Sequence, residues 1–390
     1  MNLGMTCYAN SILQAISATP VLSTYLWSGE FRRDVQTDNP AAVESRGLLA
    51  GIVASLVKDL RRNSDMARGG KCESVSPRDV IAMCNRIRPQ WPLGEQQDAK
   101  EFFDFLSEHL HHDLNTHSGM VMAHKLTPEE ERRRETWPTR YAAVVEWTRS
   151  TKTDKSKLSD LFFGQHISRV QCSDCGATST TFEVWSSLSI EIPEWDPRGA
   201  KPTLHDCMRS YGGAERLEAY TCERCHVATR GSSTKQILLT RMPPIVVVHL
   251  KRFSMFDANA AKVRTAVSCP MEGMDFGPYV LPPPTAEETA RMNNLAAGLA
   301  PDTCMSPPFV YDAFAVVKHK GNSLHAGHYV ADCRDAATGR WKEYNDERAT
   351  EVMARASPAE LQRFLSDGEA YMVFYQRRAS PNANPVVNGA

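Results

Sequence analysis

The stretch that decides the fold is residues 2–16, which read NLGMTCYANSILQAI. Cys7 follows a short glycine-containing loop and opens a segment whose apolar residues, such as Ile12 and Ile16, recur at helical spacing. The pattern places the Cys7 thiol at a helix N-terminus, where unpaired N–H groups and the helix dipole favour the thiolate. Asn2 can return its side-chain amide to the same place and donate to a developing oxyanion. A lone cysteine here would instead suggest a buried structural residue.

A histidine-containing stretch more than three hundred residues downstream favours catalysis. Two runs read as strands joined by a turn at residues 335–340; they are HAGHYVAD, residues 325–332, and WKEYND, residues 341–346. A hairpin centred near residue 336 or 337 pairs positions whose numbers sum to about 673, so that Asn345 directly faces His328. Asp346 would then point to the other side of the ribbon, although a one-residue bulge would exchange the two.

Cys7, His328 and Asn345 therefore supply a nucleophile, a base and an orienting group. His328 would take the thiol proton and later protonate the leaving amine, while Asn345 would hold the imidazole in the useful tautomer. An uncharged orienting group suffices because a thiol ionises more readily than a serine hydroxyl. The other interpretation of His328 is an ordinary strand histidine, which we prefer for most of the 12 histidines, including His319 and His325.

These motifs resemble those of the ubiquitin-specific proteases, a family of papain-like cysteine proteases that remove ubiquitin. The similarity lies in four stretches in the family's order: residues 2–14, 94–102 (GEQQDAKEF), 243–253 (PPIVVVHLKRF) and the two runs around His328. The resemblance extends from residue 1 to about residue 376. It implies a papain-like cysteine protease fold of the α+β class, with a helical thumb, a β-sheet palm and zinc-tipped β fingers.

The expected organisation follows from that resemblance and from local periodicity. We expect the thumb at about residues 1–117 and the palm and fingers at about residues 158–376, with the fingers around 165–240. Apolar periodicity predicts the following helices: residues 45–60, 76–87, 97–110, 141–148 and 203–211, and a polar helix from 287 to about 300 in a surface insertion at 282–308. Residues 377–390 are expected to form a disordered tail.

Four of the 11 cysteines form two Cys-x-x-Cys pairs, Cys172 with Cys175 and Cys222 with Cys225. One tetrahedral zinc needs four thiolates, and two such turns supply them. The alternatives are a redox motif or four unrelated core cysteines, but a redox motif does not come in two copies on turns. In the family that the chain resembles, such pairs hold one structural zinc at the tip of the fingers.

Asp98 stands at the start of the helix predicted at residues 97–110, where the helix dipole favours a carboxylate. That position is a sufficient structural reason for it. The family resemblance implies a further role, because the matching Asp contacts the arginines in the C-terminal tail of ubiquitin. The two roles are compatible.

The resulting hypothesis is a deubiquitinating thiol protease that cleaves after the C-terminal glycine of ubiquitin through an acyl-enzyme on Cys7. Asn2, His328, Asn345 and Asp346 complete the candidate catalytic set, and Asp98 is the candidate substrate contact. Ubiquitin and ubiquitinated proteins are the expected partners. The alternatives are a catalytically impaired ubiquitin-binding scaffold and a protease for another ubiquitin-like modifier. Because Asn2 is nearly the first residue of the sequence, we expect it to fray.

Composition is consistent with this hypothesis. The chain has 390 residues and a formal net charge of -1, so no nucleic-acid footprint stands out. No apolar run of about 18–20 residues predicts a membrane span. An odd number of cysteines in a chain of this length favours thiols and metal binding over a disulfide framework. We expect a monomer located in the cytoplasm, the nucleus or both.

Overall fold

The computed structural model describes residues 1–67, 73–195, 199–253, 262–295, 302–323, 326–352 and 357–379. Its helices are α1 Cys7–Ala18, α2 Pro20–Ser28, α3 Leu48–Ala67, α4 Arg78–Ile87, α5 Ala99–Asp113, α6 Pro128–Arg134, α7 Thr139–Ser150, α8 Lys157–Phe162, α9 Leu204–Tyr211, α10 Ala286–Leu295 and α11 Pro358–Leu365. Within the described ranges, none of these helices is both long and apolar enough to cross a membrane.

The strands are β1 Gly164–Gln171, β2 Thr178–Trp185, β3 Leu188–Glu191, β4 Glu215–Arg216, β5 Tyr220–Thr221, β6 Ala228–Thr229, β7 Thr234–Arg241, β8 Ile245–Lys251, β9 Met274–Asp275, β10 Val310–Ser323, β11 Ala326–Arg334, β12 Trp341–Asn345, β13 Arg348–Glu351 and β14 Ala370–Arg377. We call the sheet with strand order β13-β12-β11-β10-β14-β8-β3, in which β9 also pairs with β10, the palm. We call the sheet β2-β1-β7-β4 and the small β5-β6 pair the fingers. Helices α1–α5 and α8 form the thumb. The predicted α+β class is confirmed.

The palm sheet separates two buried cores. Strand β8 shows this most clearly, because Ile245 and Val247 face the thumb helices while Val246 and Val248 face the opposite side. The opposite core is closed by α9, α11 and the segment 267–280. A strand buried on both faces must be apolar at every position, which explains the unbroken run of valines.

Helix α1 fixes the position of the active site. Eight of its 12 residues are buried, and it packs against β11 on the palm and α5 in the thumb. Its burial leaves the first turn facing the end of the palm at which β11 begins. The start of one helix and the start of one strand therefore meet at a single edge.

Several predicted boundaries need correction. Helix α4 begins at Arg78, with Pro77 at its N-cap position, rather than at the predicted residue 76. The palm and fingers were expected to begin at about residue 158, but residues 157–162 form α8 of the thumb, because Ser156 and Ser159 make a capping box. Residues 377–379 are ordered, since Arg377 ends β14 and Arg378 forms an ion pair with Asp312 at 2.7 Å. The rest of the predicted disordered tail, 380–390, lies outside the described residues.

A buried carboxylate that the sequence did not reveal stabilises the thumb. Asp113, at the end of α5, is fully buried and accepts hydrogen bonds from Ser45 Oγ, Gly47 N (3.2 Å) and Ala50 N (3.0 Å). These donors belong to the segment that enters α3 and to its first turn, where backbone N–H groups have no intrahelical acceptor. Burial raises the pKa of the Asp113 carboxyl, while these hydrogen bonds oppose that shift.

Replacing Asp113 tests this cap. We expect Asp113→Ala to lower the free energy of unfolding by about 2–4 kcal/mol, because three buried donors would lose their acceptor. Chemical denaturation of both proteins measures the difference. Asp59→Ala, on the exposed face of α3, is the matched control and should change the free energy by less than about 0.5 kcal/mol. Equal effects of the two substitutions would show that Asp113 does not cap α3.

Candidate active site

Cys7 is the first residue of α1, as the sequence predicted. Its side chain is buried, with only 2% of the residue's surface exposed. The first intrahelical hydrogen bond runs from Asn10 N to Thr6 O at 3.0 Å, so the backbone N–H of Cys7 lies among the free donors of the first turn. The preceding loop turns sharply: Met5 has a φ of 55°, which is unusual for a residue other than glycine, asparagine or aspartate.

His328 and Asn345 are brought together, although not by the pairing that the sequence predicted. His328 Nε2 donates to Asn345 Oδ1 at 2.8 Å. The hairpin pairs Ala331 with Tyr344 and Arg334 with Trp341, so the numbers sum to 675 rather than about 673. The predicted direct pairing of Asn345 with His328 is therefore wrong by two positions. A register shift of two residues keeps every side chain on the same face of the hairpin, so the side chains of His328 and Asn345 still meet.

The turn explains the shifted register. Asp335 Oδ1 accepts from Ala337 N at 3.0 Å and from Thr338 N at 2.9 Å, while Asp335 O accepts from Gly339 N at 2.8 Å. These bonds place the centre of the turn between residues 337 and 338, one residue beyond the predicted centre. Gly339, with a φ of 70°, supplies the left-handed residue that the turn requires.

Simple hairpin parity predicted that Asp346 points away from His328, with a one-residue bulge as the alternative, and the parity prediction is wrong for Asp346. Strand β12 ends at Asn345, and Asp346 has a φ of 51°, which turns its side chain back toward the hairpin. Its Oδ2 lies 3.7 Å from His328 Nε2, beyond hydrogen-bonding distance but close enough for electrostatic attraction. Both residues are therefore near the imidazole, and Asn345 makes the direct hydrogen bond.

The imidazole of His328 carries a raised pKa. Its value rises from an ordinary 6.5 to about 9, and the hydrogen bond with the Cys7 side chain is the largest cause. The hydrogen bond with Asn345 and the charges of Cys7 and Asp346 add to the rise, while burial opposes it. Since Nε2 is engaged by Asn345, Nδ1 is the ring nitrogen left for the thiol. This is a Cys–His pair in which the imidazolium is retained at neutral pH.

Asn2 is held in place, contrary to the expected fraying. Its Nδ2 donates to Asp346 Oδ2 at 2.9 Å, and its Oδ1 accepts from Gly4 N and Thr6 N, both at 3.1 Å. The amide orientation is fixed, because a flipped amide would turn its NH₂ group toward two N–H donors. One N–H of the Asn2 amide remains for another acceptor next to Cys7.

Gln96 contacts the active-site strand, a role that our sequence analysis did not assign. Its Nε2 donates to Gly327 O, and its Oε1 accepts from Gly327 N at 3.0 Å. Gly327 must lack a side chain, because a Cβ there would lie 2.3 Å from Nε2 of the buried His319. The residue before His328 is therefore held from two sides. The only available sequence signal was that Gln96 belongs to the stretch that resembles the ubiquitin-specific proteases.

Asp98 is the N-cap of α5, next to Gln96. Its Oδ1 accepts from Lys100 N at 2.7 Å and from Glu101 N at 2.9 Å, and its Oδ2 accepts from Tyr371 OH at 2.5 Å. Burial is the main reason why the pKa of Tyr371 is raised well above its ordinary value. The carboxylate thus links the thumb to β14 of the palm.

Of the two other histidines assigned structural roles, only His319 is described. It is fully buried and contacts Phe253 and Tyr329 edge to face, with ring centroids 5.1 Å and 4.7 Å away. Burial lowers its pKa to about 4, so it is neutral at physiological pH. His325 lies outside the described residues.

The four predicted metal ligands come together at the end of the fingers. The Sγ atoms of Cys172, Cys175, Cys222 and Cys225 all lie within 4.8 Å of one another and could hold a metal ion. The distances Cys172–Cys225 and Cys175–Cys222 are 3.9 Å and 3.7 Å. Four thiolates about 2.3 Å from one tetrahedral zinc would be separated by about 3.8 Å.

The two cysteine turns share one backbone design. Gly176 N donates to Cys172 O at 3.0 Å, and His226 N donates to Cys222 O at 2.8 Å. Both donors have positive φ, 67° for Gly176 and 59° for His226. Arg224 N also points at Cys222 Sγ at 3.4 Å, as expected for a thiolate acceptor. Two matched turns facing each other fit a closed metal site better than a redox pair or unrelated core cysteines.

A groove of about 410 Å³ lies on the far side of Asp346. It runs between α1, the end of α3 and the β11–β12 hairpin, and neither Cys7 nor His328 lines it.

These residues form a candidate cysteine hydrolase site, and comparison with known proteins identifies the family. A family model described as ubiquitin carboxyl-terminal hydrolase matches residues 1–375. The chain therefore belongs to the ubiquitin carboxyl-terminal hydrolase family, and the resemblance seen in the sequence is confirmed.

Two curated relatives illustrate the similarity. The chain is 32% identical over 386 residues to ubiquitin carboxyl-terminal hydrolase 4 of Saccharomyces cerevisiae (strain ATCC 204508 / S288c), covering 96% of this chain and 39% of the relative. It is 32% identical over 399 residues to ubiquitin carboxyl-terminal hydrolase 21 of Homo sapiens, covering 97% and 61%. The chain thus spans less than two thirds of the length of each of these relatives.

A solved structure shows the same fold. The SAGA Ubp8/Sgf11/Sus1/Sgf73 DUB module bound to ubiquitin aldehyde matches with a TM-score of 0.63 at 20% identity, covering 97% of this chain and 69% of the other. The same module bound to monoubiquitin matches with the same TM-score at 19% identity. The predicted arrangement of thumb, palm and fingers is confirmed at the level of the fold.

The raised pKa of His328 can be tested directly. Below pH 6.5 the His328 imidazole is protonated in both the unfolded and the folded protein. In the folded protein the positive charge is lost only as the pH rises through about 9. We expect Cys7→Ala to lower the pKa of His328, since it removes the largest cause of the rise. NMR titration of the histidine ring protons measures both proteins. His249, whose pKa burial lowers to about 3, is the internal control. An unchanged His328 value would assign the shift to Asn345 and Asp346 instead.

Proposed function

We propose that the chain is a deubiquitinating thiol protease, which hydrolyses the bond after the C-terminal glycine of ubiquitin. The observation that carries the proposal is the Cys7–His328–Asn345 constellation at the junction of thumb and palm, in a chain that belongs to this family. The relatives named above support ubiquitin as the substrate.

The first step would be attack of the Cys7 thiolate on the carbonyl carbon of the terminal glycine. The negative charge that develops on the carbonyl oxygen would be met by the free N–H of the Asn2 amide and by the backbone N–H of Cys7. As the tetrahedral intermediate collapses, His328 would give its proton to the leaving amine. The products of this step are the free amine and a thioester between Cys7 and ubiquitin.

Water would complete the reaction. Neutral His328 would take a proton from the attacking water, and the tetrahedral intermediate would collapse to release the Cys7 thiolate and the carboxylic acid of ubiquitin, which would lose its remaining proton to solvent. Asn345 would keep the imidazole plane fixed throughout, because Nε2 stays bonded to its Oδ1. Asp346 would add a stabilising charge 3.7 Å from the imidazolium without hydrogen-bonding to it.

The route to Cys7 supports recognition of a narrow, basic tail. Asp98 is partly exposed, and its two hydrogen-bonded oxygens retain lone pairs that can accept from an arginine. Gln96 and Gly327 bring the thumb and palm together beside the thiol. A tail ending in Gly-Gly would fit such a passage. We propose Asp98 as a contact for the arginines of that tail, in addition to its role as an N-cap.

We also propose that the four-cysteine cluster holds one structural zinc. Four thiolates would complete a tetrahedral shell and leave no position for a reactive water. The zinc would join two turns that lie 46 residues apart in sequence, between Cys175 and Cys222. None of the ten cysteines of the described residues forms a disulfide, which supports the proposed cytoplasmic or nuclear location. A monomeric state stays a prediction.

A ubiquitin that carries a C-terminal electrophile tests the function. We expect a mass increase of one ubiquitin, mapped to Cys7, and no adduct with Cys7→Ser, which should still bind ubiquitin because the two side chains are similar in size. Ubiquitin shortened by its last glycine is the control for the tail. Binding without an adduct would support the scaffold alternative. An adduct formed only with another ubiquitin-like modifier would support the third alternative.

Elemental analysis tests the zinc. We expect one zinc per chain in the intact protein and loss of zinc in Cys175→Ala, with a lower melting temperature, because metal binding contributes to folding. Cys304→Ala removes a cysteine outside the cluster and should keep the metal. Loss of zinc with an unchanged melting temperature would contradict a structural role.

A further inference from the structure

The carboxylate of Asp346 is held by two amides from the beginning of the chain. Asn2 Nδ2 donates to Oδ2 and Asn10 Nδ2 donates to Oδ1, both at 2.9 Å. Asn10 Nδ2 also reaches Met1 O at 3.3 Å. The nearest approach to His328 is longer, at 3.7 Å. Asp346 therefore binds the amides first and influences the imidazole only through its charge.

Asn10 lies one helical turn after Cys7. Residues three apart in a helix share a face, so Asn10 and Cys7 both face the β11–β12 hairpin. The bond from Asn10 to Asp346 spans 336 residues of sequence and connects the nucleophile's helix to the residue that follows Asn345. Without the Asn10 amide, one oxygen of the Asp346 carboxylate would lose its hydrogen-bond donor. The side chain of Asp346 is only 19% exposed.

The amide of Asn2 depends on this carboxylate. Gly4 N and Thr6 N donate to its oxygen, and among the described residues its nitrogen donates to Asp346 alone. If the carboxylate rotates, the N–H directed at the developing oxyanion rotates with it. An oxyanion donor must be in place before the reaction, and the loss of one such donor typically costs 10²–10³ in rate.

We propose that Asn10 is a positioning residue: it anchors the Asp346 carboxylate, which in turn orients the Asn2 amide toward the oxyanion. This inference rests on the proposed hydrolase function. The effect of Asn10 is transmitted through Asp346 and Asn2.

The first test is the steady-state kinetics of a ubiquitin–fluorophore amide. We expect Asn10→Ala to lower kcat about tenfold or more with little change in KM, since the oxyanion exists only after attack. Alkylation of Cys7 by iodoacetamide requires the thiolate but no oxyanion donor, and it should be unchanged. Equal losses in both reactions would mean that Asn10 acts by supporting α1, and the inference would be overturned.

A second test uses isosteric exchange. Asn10→Asp keeps the shape but sets a carboxylate against a carboxylate, so we expect a larger loss than in Asn10→Ala. Adding Asp346→Asn restores the hydrogen bond, because the amide nitrogen introduced at position 346 can donate to the carboxylate introduced at position 10. The amide oxygen at position 346 then accepts from Asn2. This double variant should recover part of the lost kcat. No recovery in a folded double variant would overturn the inference.

Double-mutant analysis separates the pathway from independent effects. If Asn10 acts through Asn2, adding Asn10→Ala to Asn2→Ala should cause little further loss in kcat. Independent losses that multiply would overturn the inference and leave the hydrolase function intact. Absence of turnover and of adduct formation in the unmodified chain would instead overturn the proposed function, and this inference with it.

Discussion

The active site depends on a fixed spacing between the start of α1 and the β11–β12 hairpin. Apolar burial sets that spacing coarsely, because α1 is packed between the palm sheet and α5. Polar links at the rim set it finely. Gln96 holds Gly327, the residue before His328, and Asp346 joins the loop of Asn2 to the end of β12. Catalytic geometry at the scale of a hydrogen bond therefore rests on contacts outside the core.

Buried cations connect the palm to the segments that surround it. Arg252, at the end of the stretch that resembles the family, is fully buried and donates to the carbonyls of Val263, Thr265 and Ala370 at 2.6–2.9 Å. Burial lowers its pKa to about 10, which still leaves it charged at neutral pH. Lys318 similarly donates to Phe364 O at 2.7 Å, at the end of α11. Charged donors satisfy several carbonyls at once, which loops without regular structure need.

The sequence predicted the elements of the fold well where the signal is local. The helix that begins at Cys7, the helix at Asp98 and the apolar run of β8 each carry periodicity or capping patterns that short segments express by themselves. The two Cys-x-x-Cys pairs likewise predicted that their four thiolates lie close together, because thiolates at that spacing suit one metal.

The errors occurred where individual side-chain hydrogen bonds, whether local or between residues far apart in sequence, decide the outcome. The hairpin register was wrong by two because Asp335 accepts two N–H groups and moves the centre of the turn. Asp346 was misplaced because its backbone turns back toward α1, where the amides of Asn2 and Asn10 donate hydrogen bonds to its carboxylate. Periodicity carries no information about such bonds across more than three hundred residues. The same reason hid Asp113 and Gln96.

The position of β14 has a consequence for the order in which the protein can form during synthesis. This strand, residues 370–377, lies between β10 and β8 in the middle of the palm, although it follows all the other described palm strands in sequence. The palm can therefore close around β14 only after residues 370–377 have been synthesised, more than 360 residues after Cys7. The geometry that places His328 opposite Cys7 thus depends on a strand that lies downstream of both residues.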